Sequence, residues 1–297
     1  MRRKLMISLL MCICISLFIG CAKIDEPEET PTPADTPKNL FLDAEIQEQT
    51  VYDGQEMVIT AVSLEMNAPE GPVLKFSGEN KTDKGYVITI RNCSVNNIMI
   101  EPKFEMKMGS KGAVTADAVF SGRFLLIADI RTFSGISFCL RIADAFDSQN
   151  YIETDQYNML TSMTGKYTQK YDFPGALIAD SNGIKIKIGR VADSKALMGK
   201  QIYIYIENPT STDIFVETKE TLVDGIEIDP MFFAFVGAGK KSWAPLTFQH
   251  SDIIKNGLES IDDLVVSLRA ISIYGTIVDT GACRIVFEQK SGNDKRG

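Results

Sequence analysis

Residues 200–223, KQIYIYIENPTSTDIFVETKETLV, alternate apolar and polar side chains on both sides of a polar segment at 207–212. Successive side chains of a β-strand point to opposite faces of its sheet, so this alternation predicts strands with one buried face. Asn208 and Pro209 are typical turn residues. The stretch therefore predicts two consecutive strands joined by a tight turn.

The same period of two continues through the C-terminal half, in GIKIKIGRV (183–191), DLVVSLRAISI (263–273) and CRIVFEQ (283–289). Turn signals separate these segments, and one helical turn is predicted at 251–256, with Ser251 as its N-cap and Gly257 as its stop. Seven short strands in about 110 residues, in antiparallel order, are typical of an immunoglobulin-like sandwich. The predicted fold is therefore all-β.

The pattern occurs twice in the chain. A shift of 128 positions superimposes residues 73–146 on 201–274 without a gap, at turn positions and at alternating apolar positions together. The matched pairs include Asn80 with Asn208, Thr82 with Thr210, Pro102 with Pro230, Phe104 with Phe232, Gly109 with Gly237 and Phe120 with Phe248. Such self-similarity indicates a tandem duplication. We therefore predict two sandwich domains, at 41–165 and 166–290.

The N-terminus has the pattern of a secretory signal. Arg2, Arg3 and Lys4 precede an uncharged apolar run at 5–20, which at 1.5 Å rise per residue is shorter than a hydrocarbon core of about 30 Å. Gly20 directly before Cys21 resembles the bacterial lipobox, with Phe18 in place of the usual Leu. The resemblance implies cleavage after residue 20 and lipid on Cys21; an ordinary signal with an incidental cysteine is the alternative.

A polar linker follows the predicted cleavage site. Residues 21–40 are rich in Pro, Thr and Asp/Glu and nearly free of apolar side chains, a composition that favours a disordered spacer. Residues 291–297 form a short polar tail. We expect the protein at the extracytoplasmic face of the cell membrane, held there only through the lipid on Cys21.

Part of the second repeat resembles a known module. The segment 206–271 is similar to a tandem immunoglobulin-like module of surface lipoproteins from low-GC Gram-positive bacteria, and 54–146 is similar to it more weakly. The shared features are the turns at Glu207-Asn208 and Val223-Asp224-Gly225, the run Ala238-Gly239-Lys240-Lys241 and the strand that begins at Asp263-Leu264. The resemblance implies a fold and a compartment and carries no activity.

Charge and cysteine content exclude several classes of protein. The formal charge of −8 becomes −11 when Arg2, Arg3 and Lys4 are removed, and an acidic body repels nucleic acid and anionic headgroups. Cys93, Cys139 and Cys283 remain in the body without zinc or redox spacing. Cys93 and Cys139 are a candidate disulfide, if their strands are neighbours. No cofactor or metal is expected.

The sequence contains no catalytic motif. The single histidine, His250, lies in a predicted loop, and a Gly-x-Ser-x-Gly elbow is absent. Carboxylates are scattered over turns and solvated faces, so a glycosidase pair drawn from distant strands stays open. We therefore predict a protein that is not an enzyme.

The two repeats differ in aromatic residues at predicted outward positions. Where the first repeat has Lys75, Ser77, Glu105, Lys107 and Thr115, the second has Tyr203, Tyr205, Phe233, Phe235 and Trp243. In an immunoglobulin-like order these segments are strands B, D and E of one sheet, which predicts one continuous aromatic face. Such a face is larger than soluble monomers usually expose. Packing against the first repeat or a second copy and binding of an external protein or glycan are the alternatives.

These observations predict a lipid-anchored, non-enzymatic module for binding or envelope interaction. The alternative is a carbohydrate-binding or hydrolase-associated surface lipoprotein. A solute-binding receptor would require larger α/β lobes, which the strand-rich pattern opposes.

Overall fold

A computed structural model of the chain describes residues 40–194, 199–258 and 260–287. The described residues form one compact unit. The predicted signal peptide (1–20), Cys21, all but the last residue of the linker and the tail (291–297) lie outside the described residues.

Ten strands and one short helix make up the first half of the described chain. They are β1 (Gln49–Asp53), β2 (Met57–Glu65), β3 (Val73–Asn80), β4 (Tyr86–Val95), β5 (Ile98–Met99), β6 (Met106–Met108), β7 (Ala113–Val119), α1 (Gly122–Ile127), β8 (Gly135–Asp144), β9 (Tyr151–Glu153) and β10 (Tyr157–Leu160).

The second half repeats this series of elements in the same order. It comprises β11 (Ala176–Ser181), β12 (Ile184–Ser194), β13 (Gly199–Asn208), β14 (Ile214–Val223), β15 (Ile226–Glu227), β16 (Phe233–Val236), β17 (Lys240–Phe248), α2 (His250–Lys255), β18 (Asp263–Ser272), β19 (Gly275–Asp279) and β20 (Cys283–Val286). A shift of 128 positions carries β4, β5, α1 and β8 onto β14, β15, α2 and β18 without an offset.

The described strands form three sheets. A four-stranded sheet has the order β1-β2-β3-β7, and a six-stranded sheet has the order β15-β14-β18-β19 with β16 beside β14 and β20 beside β18. The ten-stranded sheet between them runs β10-β8-β4-β5-β17-β13-β12-β11, with β6 on β4 and β9 on β8. It joins the two halves through β5 and β17, which pair in parallel. Its other pairings are antiparallel.

Each half contains its own buried core between two layers of strands. Alternating residues such as Leu74, Phe76 and Phe138 fill the first core, and Ile202, Ile204 and Leu268 are among those that fill the second. The predicted all-β, immunoglobulin-like fold is confirmed. We refer to the halves as sandwich 1 and sandwich 2; their division into two domains, at 41–165 and 166–290, stays a prediction.

The predicted helical turn begins one residue early. α2 spans His250–Lys255 after Gln249, whose side chain makes no capping hydrogen bond, so the prediction of Ser251 as the N-cap was wrong. Gly257 follows with a φ of +67°, in keeping with a glycine stop. The six residues of α1 and of α2 are too few to traverse a bilayer, and the described chain has no other helix long and apolar enough to do so.

Candidate interaction surfaces

Tyr203, Tyr205 and Trp243 are buried on the outward side of sandwich 2. Tyr205 lies directly opposite Trp243 where β13 pairs with β17, and the neighbouring residues Ile202, Ile204 and Ile206 point into the second core. The three aromatic side chains instead belong to the core of sandwich 1. The predicted alternation therefore placed them on the correct face, and that face is covered by the other half of the same chain.

Phe173 completes this aromatic cluster from the segment that connects β10 to β11. Its ring centroid lies 4.7 Å from that of Tyr205 and 4.9 Å from that of Trp243. Burial raises the pKa of Tyr203 and of Tyr205. We call Phe173, Tyr203, Tyr205 and Trp243 the joint, because they hold the two sandwiches together by apolar contact.

Polar contacts continue the joint at the point where β5 meets β17. The Lys240 Nζ donates hydrogen bonds to Asn97 Oδ1 and to Ser137 Oγ, each over 3.1 Å. Ser137 Oγ is also 2.7 Å from Ser94 Oγ, in the buried outer surface of β4 and β8. Burial lowers the pKa of Lys240. A lysine of sandwich 2 thus donates hydrogen bonds to two polar groups of sandwich 1 beside the strand pair that joins the halves.

The connecting segment takes part in the joint, a role that was not predicted from the sequence. Tyr171 donates from its hydroxyl to the Asn96 carbonyl over 2.7 Å, and the Lys241 ammonium lies 4.3 Å from the Tyr171 ring centroid. The aromatic residues of YDFPG (171–175) were the available signal, since aromatic side chains are unusual in a solvated linker. The segment lies outside the aligned residues 73–146 and 201–274, so comparison of the two repeats does not reveal it.

The prediction of one continuous aromatic face was wrong, because Phe233 and Phe235 lie in a different sheet. Both belong to β16, which pairs with β14 in the six-stranded sheet. The segment was predicted as strand D, beside strands B and E; it crosses instead to the edge of strand C, the position of a C′ strand. Five aromatic residues that share a pattern in the sequence therefore occupy two separate surfaces.

Phe233 and Phe235 are grouped with a third ring, that of Phe215 on β14. The ring centroids of Phe233 and Phe235 lie 5.4 and 5.3 Å from that of Phe215. Ile271 of β18 is the cross-strand neighbour of Phe215 on the other side. Phe215 is 38% exposed and Phe233 is 65% exposed, while Phe235 is half-buried. We call Phe215, Phe233, Phe235 and Ile271 the aromatic face.

A row of charged residues borders the aromatic face. Glu217, Arg269 and Asp279 follow Phe233 in register across the sheet. The Arg269 Nε donates to Glu217 Oε1 over 3.0 Å, and Lys219 Nζ lies 2.8 Å from Asp279 Oδ2. The hydrogen bond from Lys219 lowers the pKa of Asp279. Rings and paired charges thus lie side by side on an open sheet surface.

The predicted disulfide is not formed, and Cys93 and Cys139 are free thiols. Their strands, β4 and β8, are neighbours as the prediction required. A bulge between Arg91 and Ser94, with Asn92 at a φ of +51°, adds one residue and turns Cys93 into the core of sandwich 1. Cys139 lies opposite Arg91 on the outer side, so the two thiols point to different faces of the sheet.

Other candidates for chemistry lie apart from one another. His250 is the exposed first residue of α2. Within the described residues, no three His, Cys, Asp or Glu side chains are grouped as a metal site. A cleft of about 490 Å³ opens at the edge of sandwich 1, lined by Val51, Tyr52, Asp53, Glu153, Asp155 and Tyr157 among others. Its carboxylates are solvated, and the structure shows no ligand chemistry for them.

Comparison with known protein families finds no matching family model, and comparison with curated proteins finds no matching sequence. Among solved structures, the YadV chaperone is similar over 72% of this chain and 92% of its own length, with 12% identity and a TM-score of 0.23. The SafB chaperone in complex with the Salmonella enterica SafA pilin matches with 11% identity, a TM-score of 0.22 and coverage of 72% and 89%. A Porphyromonas gingivalis protein of unknown function matches with 8% identity, a TM-score of 0.20 and coverage of 75% and 95%. Such distant likeness transfers no function to this chain.

Proposed function

We propose that the chain is a non-enzymatic, lipid-anchored extracytoplasmic protein that presents a joined pair of sandwiches for binding or envelope interaction. The basic residues at 2–4, the apolar run at 5–20 and Gly20-Cys21 support the anchor. The acidic, Pro-rich segment 22–39 supports a spacer between membrane and body.

The aromatic face is the observation that carries the binding role. Phe215 and Phe233 remain exposed to solvent, and a partner that covers them would remove their apolar surface from water. The joint supports the same role, because a sheet shared by both sandwiches limits their relative movement and keeps the face in a defined position.

A carbohydrate-binding role is the second candidate. The observation in its favour is the position of Glu217 and Arg269 beside the rings, since sugars offer apolar faces to aromatic side chains and hydroxyl groups to charged ones. A glycan array probed with the full chain and with Phe233→Ala tests it. Binding that is lost in Phe233→Ala would support this role.

Substitution of Cys21 tests the anchor directly. In cells grown with a radiolabelled fatty acid, Cys21→Ser should lose the label and its retention in the membrane fraction. Cys14→Ser is the matched control, because it removes a cysteine from the apolar run and leaves the predicted attachment site intact. Equal labelling of Cys21→Ser and the unsubstituted chain would refute the anchor.

A further inference from the structure

The aromatic face is a feature of sandwich 2 alone, although both sandwiches have the same strands at this place. The positions of Phe215, Phe233 and Phe235 correspond to Val87, Glu105 and Lys107 in sandwich 1. There, Lys107 Nζ lies 2.7 Å from Glu105 Oε1, and both side chains are well exposed to solvent. The fold therefore does not require rings at these positions.

The turn between β18 and β19 presents two more exposed apolar residues beyond the end of β18, the strand that carries Ile271. Ile273 and Tyr274 follow Ile271 and Ser272 along the chain, and both are largely exposed, Tyr274 to 84%. The three rings of Phe215, Phe233 and Tyr274 together expose about 370 Å², given ~200 Å² for an aromatic side chain. A standard stable interface buries about 800 Å² on each partner, so these rings supply nearly half of one.

The charges at this surface are balanced within the surface. Glu217 pairs with Arg269, and Asp279 pairs with Lys219, so two negative and two positive groups border the rings. The whole chain carries a formal charge of −8, and two such chains repel each other through most of their surfaces. Two copies can meet without that repulsion through a surface that is apolar at its centre and carries balanced ion pairs at its border.

We infer that the aromatic face binds the same face of a second copy of this chain. A two-fold axis through the face would place the rings of one copy against those of the other, with the ion pairs at the rim. Two identical surfaces suit this contact, because the apolar centre and the balanced border are each complementary to themselves. This inference rests on the proposed binding role and names its partner.

Photo-cross-linking in intact cells tests the inference with the full chain. Benzoylphenylalanine replaces Tyr274 at the edge of the aromatic face. The matched control carries the same probe at Phe146, the position equivalent to Tyr274 in sandwich 1, which is 96% exposed. We expect a product of twice the chain mass from the probe at 274 and none from the probe at 146.

A second substitution establishes that the product depends on the rings. Phe233→Glu introduces the residue that sandwich 1 has at the equivalent position, and should lower the yield of the double-mass product by more than about tenfold, as for a central interface ring. Phe233→Ala is the companion variant, and an unchanged thermal midpoint in both shows that the fold is intact. Undiminished yield from both variants would overturn the inference.

The composition of the cross-linked product distinguishes failure of this inference from failure of the proposed function. A product that contains a different protein would overturn the second copy as the partner and leave a binding role standing. A probe at 274 that yields no product, together with no effect of Phe233→Ala on any glycan, would overturn both.

Discussion

Asn80 and Asn208 lie 128 positions apart and make the same hydrogen bonds. Asn80 donates from Nδ2 to the carbonyls of Lys84 and Gly109, each over 2.7 Å. Asn208 donates to those of Thr212 and Gly237, over 2.9 and 3.1 Å, and these residues are equivalent to Lys84 and Gly109. Each buried amide thus ties the end of a strand in one sheet to loops that enter and leave the other.

Substitution of either asparagine should destabilise its sandwich. Asn80→Ala and Asn208→Ala each remove a buried side chain that donates to at least two loop carbonyls, which should lower the free energy of unfolding by about 2–3 kcal/mol at about 1 kcal/mol per hydrogen bond. Asn158→Ala on β10, where the side chain is exposed, is the control and should change it by less than about 0.5 kcal/mol. Chemical denaturation followed by circular dichroism measures the free energy of unfolding of these variants. A decrease as small as that of the control, in either Asn80→Ala or Asn208→Ala, would contradict the stabilising role that the two asparagines share.

Trp243→Ala should be among the most destabilising substitutions in the chain. Its ring is buried between two sandwiches and its Nε1 has no hydrogen-bond partner, so the loss arises from packing. We expect a decrease of about 3–5 kcal/mol in the free energy of unfolding.

The equivalent residue in sandwich 1 is the matched control for Trp243. Thr115 is exposed, and Thr115→Ala should change the free energy of unfolding by less than about 0.5 kcal/mol. Amide hydrogen exchange adds a second test, because loss of the joint should lower protection in both sandwiches. Lowered protection in sandwich 2 alone would contradict the assignment of Trp243 to the core of sandwich 1.

Alkaline pH should weaken the joint through Tyr205. Burial, followed by the nearby Glu207, raises the pKa of this phenol above its ordinary value of 10.0. The unfolded chain therefore loses the proton first, so stability is fully present below about pH 10 and declines as the pH rises beyond it.

Tyr205→Phe should reduce that alkaline decline. The free energy of unfolding, measured by denaturant titration between pH 8 and pH 11, should fall less steeply for this variant than for the unsubstituted chain. Phe146→Ala is the control, since it removes an exposed ring that carries no titratable group, and should leave the slope unchanged. Parallel pH profiles for Tyr205→Phe and the unsubstituted chain would be inconsistent with a buried, protonated phenol.

Gly71 occupies a position that no larger residue can take without movement of the backbone. Its φ is +126°, and an added Cβ would lie 2.2 Å from the Phe120 carbonyl oxygen and 2.5 Å from the Gly122 nitrogen. Gly71→Ala should therefore lower the thermal midpoint and cost about 2–4 kcal/mol of stability, from overpacking and strain combined. Gly109→Ala meets no atom within 4 Å and should be nearly neutral; equal effects of the two would contradict this account.

The buried layers could be predicted from the sequence because pleat geometry is local. Ile202, Ile204 and Ile206 alternate with Gln201, Tyr203 and Tyr205, and the isoleucines do fill the second core. The bulge at Asn92 shows where such reasoning fails. One additional residue reversed the predicted direction of Cys93, and no feature of the surrounding pattern distinguishes it from a regular strand.

The sequence predicted which aromatic residues belong to the candidate surfaces, but it did not predict which of the two surfaces each residue joins. Tyr203 and Phe233 have the same pattern, large rings at positions where the first repeat has Lys75 and Glu105. The position of β16 beside β14 then placed Phe233 on an open surface and left Tyr203 on the side that Phe173 and sandwich 1 cover. Which sheet a short strand joins depends on contacts distant in sequence.

The sequence by itself determined the strand alternation, the duplication by 128 positions and the acidic charge, because each depends on the identity and spacing of nearby residues. Only the tertiary structure decided which aromatic side chains are enclosed. Burial depends on what lies across a surface, and the segment that covers Tyr205 and Trp243 reaches them from a part of the chain outside the aligned residues 73–146 and 201–274.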